Sequence, residues 1–114
     1  MVIQWYMMMI NDYALDYVKI ICNYEGNNVM FACQIDNWKK HKMTRHILGY
    51  HFIIMHISPG IHEFKFIVDG EWCHEDAIAT TLNCFGSKNN IINFPADLEK
   101  NSNFFRYVKY RELF

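Results

Sequence analysis

The chain has 114 residues, of which 52% are hydrophobic and 20% charged, and its formal net charge is −1. That length supports one globular domain that buries roughly 65% of its unfolded surface without disulfide or metal staples. The near-zero charge argues against nucleic acid or an anionic membrane as the main partner, and no segment approaches the roughly 18 uninterrupted apolar residues of a membrane span.

The start, MVIQWYMMMIND, lacks a basic leading region and a small-residue cleavage site. It reads as a poor secretory signal, so the protein is expected to be intracellular. Val2, Trp5, Met8 and Met9 fit a helical stripe, whereas Val2-Ile3 and Trp5-Tyr6-Met7 fit a strand, and periodicity leaves both open.

Tyr17 to Tyr24 reads as a strand closed by Glu25-Gly26-Asn27, with Asn28 to Cys33 as its return partner. Gln34 to Trp38 then turns the chain. A Trp followed by Lys39-Lys40-His41-Lys42 is hard to place in a core, and an exposed Trp in a basic loop points to binding. Met43 to Gly49 is a connection into the next strand.

Residues 51–57 and 61–68 read as two strands of a hairpin joined by Ser58-Pro59-Gly60. In the second strand, Phe64, Phe66 and Val68 form the core face, while Glu63, Lys65 and Ile67 point outward. Asp69-Gly70 suits a tight primed turn. That turn sets Val68 opposite Glu71 and Ile67 opposite Trp72, so Trp72 shares the outer face with Lys65, whose stem can lie on the indole.

Cys73 to Thr81 is a loop or short edge strand, Phe85 to Asn90 a turn, and Ile91 to Phe94 a final short strand. About seven short strands with regular turns predict an all-β fold, an antiparallel sandwich of immunoglobulin-like architecture. Pro95 closes this module. Beyond it, Phe104, Tyr107, Val108 and Arg111 fit a helix capped by Asn103, and Phe105, Tyr107 and Lys109 equally fit a strand. The expected organisation is an N-terminal extension (1–16), the sandwich (17–94) and an aromatic-rich C-terminal extension (95–114).

Catalysis is not expected. Asp69 is explained by its turn and Glu75-Asp76 by a solvated loop, leaving no enclosed pair of acids for glycoside hydrolysis. No nucleophile elbow, P-loop or glycine-rich fingerprint occurs. Cys22, Cys33, Cys73 and Cys84 show no zinc spacing and are expected to be buried free thiols. His51, His56, His62 and His74 spread over both strand faces, so neither a metal nor another cofactor is expected.

Three segments carry a resemblance. EFKFIVDGEW resembles the signature of the glycogen-binding module of the AMP-activated protein kinase β subunit, within carbohydrate-binding module family 48. VMFACQIDNWKK is similar to the strand and loop ending in that family's first sugar-stacking Trp, and FGSKNNII to its Gly-x-x-Asn-Asn segment. The resemblance implies non-catalytic binding of an α-1,4-glucan: Trp38 and Trp72 would stack on successive glucose units, Lys65 and Asn89 would hydrogen-bond to hydroxyls, and Phe85 and Ser87 would lie against the curve of the glucan. The chain departs from the pattern at Cys33, Ile35 and Asp36, where the family commonly has Gly, Phe and Asn. Phe85 replaces a typically aliphatic residue, which either enlarges the stacking platform or obstructs the groove.

Two functions follow. One is a module that targets a partner or complex to α-glucan polysaccharide, with other protein subunits held through the terminal extensions. The other is a structural subunit that keeps the sandwich as a scaffold, with sugar binding lost.

Overall fold

The computed structural model describes residues 17–108. The readings offered above for residues 1–16, and for Lys109 and Arg111, lie outside that range. Ten strands follow one another: β1 (Tyr17–Cys22), β2 (Val29–Cys33), β3 (His41–Lys42), β4 (Thr44–Arg45), β5 (His51–His56), β6 (Gly60–Val68), β7 (Glu71–Cys73), β8 (Thr80–Leu82), β9 (Lys88–Phe94) and β10 (Phe105–Val108). A 3-10 turn, Gln34–Asp36, follows β2. The fold is an all-β antiparallel sandwich with strand order β10-β1-β5-β4 in the first sheet and β3-β2-β6-β9-β8 in the second, where β7 also pairs with β6. The three strands beyond the expected seven or so are two- and three-residue edge pieces.

The main strands are read correctly from the sequence, but β3 and β4 fall in segments read as a loop and a connection, Lys88 to Asn90 of β9 in one read as a turn, and two pairings differ from those expected. β5 and β6 are not a hairpin: β5 pairs with β1 and β4 in the first sheet, and β6 with β2, β9 and β7 in the second. The link through Ser58-Pro59 crosses between the sheets, and only Gly60 takes a positive φ, of 133°. β1 and β2 are likewise not partners, because Asn23 to Asn28 carries the chain from one sheet to the other. Alternation identifies the core face of a strand but not the sheet that supplies it, since both sheets face one core.

The hairpin at Asp69-Gly70 does form. Its residues have φ of 50° and 88°, and the register is Val68↔Glu71 and Ile67↔Trp72. Asp69 Oδ1 also accepts from the Asn27 and Asn28 backbone N–H groups at 3.0 and 2.8 Å. The carboxylate thus ties the inter-sheet crossing to the β6–β7 turn.

Val18, Ile20 and Cys22 of β1 face Phe31 of β2 and Phe64 and Phe66 of β6, all buried. Phe64 contacts Phe31, Phe66 and Phe105 with ring centroids 5.6, 6.0 and 5.3 Å apart. Phe105 lies on β10, which pairs with β1. The segment around Tyr107, left open between helix and strand, is therefore a strand.

The expectation of four buried thiols holds for Cys22 and Cys33, whereas Cys73 is partly exposed and Cys84 exposed. Cys84 sits in the turn after β8, where no second layer covers it. Burial pushes the Cys22 thiol up to about 11 and raises that of Cys33. The unfolded chain therefore releases the Cys22 proton near 9.0 while the folded chain holds it to about 11. Between those values the native state binds more protons, so stability is lost as pH rises through the window. Cys22→Ala should show a shallower loss in denaturant titrations, and a thiol reagent should label Cys84 first, with Cys22 and Cys33 waiting for unfolding.

Candidate functional site

The site is built on the outer face of the second sheet. β6 is long enough to meet two strands along one edge, β9 through residues 60–64 and β7 through residues 66–68. Lys65 falls at the junction between them, and Ala32 of β2 lies opposite on the other edge. Strand alternation puts Glu63, Lys65 and Ile67 on this face, with Trp72 beside Ile67 and Asn89 on β9.

Two loops complete a groove of about 890 Å³. Trp38 enters from the loop after β2. Leu82 to Ser87, the turn between β8 and β9, closes the far side. All six residues singled out by the sequence, Trp38, Lys65, Trp72, Phe85, Ser87 and Asn89, line this one groove.

Trp38 and its predecessor Asn37 adopt left-handed backbone, with φ of 64° and 59°. For a bulky residue that conformation costs about 1–2 kcal/mol, and such strain clusters at functional sites. The Trp38 N–H donates to the Cys33 carbonyl at 3.0 Å. Asp36 places Oδ2 2.5 Å from His41 Nε2 and so closes the loop across its base. Ile35 packs its partly buried side chain against the core.

The Trp38 and Trp72 ring centroids are 6.4 Å apart with 71° between planes. The indoles therefore form two walls at a steep angle rather than a flat shelf. Trp72 is 46% exposed. The cation over its ring is Lys40, at 5.5 Å, and not Lys65 as the strand register suggested. Lys65 Nζ instead donates to Ser87 Oγ at 3.2 Å.

Lys65 is only 9% exposed and, among the described residues, forms no ion pair. A desolvated ammonium with one neutral partner is costly, and it retains N–H donors in search of acceptors. Around it runs a chain of amides. Asn83 Nδ2 donates to Ser87 Oγ at 2.6 Å and to Asn89 Oδ1 at 3.2 Å, and Asn89 Nδ2 donates to Glu63 Oε1 at 3.2 Å. Asn83 Oδ1 in turn accepts from the backbone N–H groups of Phe85 and Ser87 at 2.9 and 3.1 Å, fixing the turn. Phe85 is left 89% exposed at the lip of the groove.

Sequence reasoning missed Asn83, Glu63, Gln34 and Lys40 as parts of this surface. Asn83, two residues before Phe85 and four before Ser87, carries the local signal of an Asx turn. Glu63 was placed on the outer face, though not in the site. The groove offers two aromatic faces, buried donors and carbonyl acceptors, which suits a ligand with flat apolar faces rimmed by hydroxyls. Among the described residues no group of three or more His, Cys, Asp or Glu side chains converges as a metal site. No helix among them is long and apolar enough to cross a membrane.

The sequence profile of a family described as the glycogen recognition site of AMP-activated protein kinase matches residues 17–100. The chain belongs to that family. This glycogen-recognition module is 33% identical over 67 residues to the 5'-AMP-activated protein kinase subunit beta-1 of Sus scrofa, covering 59% of the chain and 54% of the relative. Against the Rattus norvegicus subunit the identity is again 33% over 67 residues, covering 24% of that protein. It is 34% identical over 84 residues to the SNF1-related protein kinase regulatory subunit beta-2 of Arabidopsis thaliana, covering 69% of the chain and 29% of the relative. The chain thus spans about half or less of the length of these relatives. Family membership makes the matched region a carbohydrate-binding module and not an enzyme domain.

Proposed function

We propose that the module binds α-1,4-glucan of the glycogen or starch type, without catalysis, and thereby brings an associated protein assembly to the polymer. The carrying observation is the steep Trp38–Trp72 pair, 71° between planes, beside the buried Lys65 ammonium. Successive α-1,4-linked glucose rings turn relative to one another, so each can lay a face on one indole. A flat β-1,4-linked ribbon meets only one wall.

In this reading Trp38 and Trp72 stack on neighbouring glucose units. Lys65 and Asn89 exchange hydrogen bonds with hydroxyls, and Phe85 and Ser87 follow the curve of the chain. Relatives named as kinase β subunits support a partner assembly of that kind, working inside the cell. The test is native electrophoresis through gels containing glycogen or a soluble cellulose derivative. Retardation by glycogen alone is the expected result. Unretarded migration of folded protein in both, or equal retardation by cellulose, contradicts the proposal.

A further inference from the structure

A second pocket, of about 530 Å³, lies at one end of the sandwich and shares no residue with the glucan groove. Two connections form it: Glu25 to Asn27, where the chain crosses between sheets, and the tight turn from β4 into β5, where Gly49 has a φ of 100°. Arg45 and His51 are direct cross-strand partners on β4 and β5, so their side chains leave the sheet on the same face. His51 is 4% exposed, and its buried Nδ1 has no hydrogen-bond partner. Arg45 and Glu25 form no ion pair among the described residues.

Buried polar groups are ordinarily satisfied, and one that is not calls for an explanation. Here the buried His51 imidazole, with its unpartnered Nδ1, meets the solvent-exposed side chains of Arg45 and Glu25 on one concave, mostly polar wall. A simple anion would suit Arg45 and His51 but would sit against the Glu25 carboxylate. A simple polyol would leave the guanidinium without a charged partner. A small molecule with an anionic head and neighbouring hydroxyls meets both demands, because guanidinium pairs bidentately with phosphate oxygens and a carboxylate accepts from hydroxyls.

We infer that this pocket is a binding site for a phosphorylated monosaccharide, with the phosphate on Arg45 and His51 and ring hydroxyls on Glu25 and Asn27. The pocket volume falls within the range of small-ligand sites. The site would let the module sense a soluble hexose phosphate separately from the polymer.

The experiment is amide-resolved NMR titration of the whole chain with glucose 6-phosphate, glucose and inorganic phosphate in turn. Glucose 6-phosphate should bind saturably and shift Gly26, Asn27, Gly49 and His51. Its affinity should fall at least about tenfold in Arg45→Ala, as loss of a charge-assisted pair implies, and stay unchanged in the folded Trp38→Ala/Trp72→Ala variant. No saturable shifts, equally tight binding of glucose or of inorganic phosphate, unchanged affinity in Arg45→Ala, or loss in the double Trp variant would each overturn the inference. The last of these would move the ligand to the glucan groove.

Discussion

Asn90→Leu should lower the unfolding free energy by about 2–4 kcal/mol, while Asn89→Ala should cost on the order of 1 kcal/mol or less and strike at glucan binding. The two amides are adjacent on β9, so alternation sends them to opposite faces. Asn89 joins the groove. Asn90, with 0% exposure, lies opposite Phe64 on the core side. There its Oδ1 accepts from the Glu75 backbone N–H at 2.6 Å, and its Nδ2 donates to the carbonyls of Glu75 and Ile78 at 2.7 and 3.2 Å. Leucine fills a similar volume but leaves the Glu75 N–H and the Ile78 carbonyl without that partner. Because those bonds hold the segment between β7 and β8, the change should lower Tm by roughly 10–20 °C. Chemical denaturation of both variants checks this, and a change of less than about 0.5 kcal/mol in Asn90→Leu would remove the bracing role assigned to Asn90.

Trp72→Ala should weaken glucan binding by about 2 kcal/mol, roughly 30-fold, because a stacked indole supplies both apolar contact and exclusion of water from the hydroxyl hydrogen bonds. Trp38→Ala should show a similar loss, since each ring forms one wall of the groove. Lys65→Met should cost less affinity, about tenfold, and should leave stability unchanged or raised, because it removes a nearly buried ammonium with one neutral partner. Calorimetric titration paired with thermal melts separates the two readouts. A Lys65→Met variant that unfolds while binding persists in the residual folded fraction would make Lys65 a structural residue.

How much of this was legible beforehand depends on the range of the physics. The β6–β7 hairpin and its register followed from Asp69-Gly70, because a two-residue turn leaves little freedom in pairing. The partners of β1 and β5 did not follow, since their links cross between sheets and nothing in a strand's own alternation names its neighbour. The six residues that share one groove were legible one by one where a family motif marked them. Asn83 was not marked by the motif, and its local Asx-turn signal fixes a turn without saying that the turn, through partners two, four and six residues away, walls a groove. The direction of the Lys65 ammonium was open too: strand register put it on the face with Trp72, but the gap between β9 and β7 turns it toward Ser87. His51 looked like one of several scattered histidines until Arg45 was paired with it across β4 and β5.

The most direct test of glucan recognition is isothermal titration of the purified chain with β-cyclodextrin, a cyclic α-1,4-glucan, beside the Trp38→Ala/Trp72→Ala variant. Saturable heat with a Kd in the micromolar range or weaker, lost in a folded double variant, is the result predicted for a shallow two-indole groove. Folded wild-type protein that gives no heat at millimolar ligand would contradict it and leave the sandwich as a scaffold.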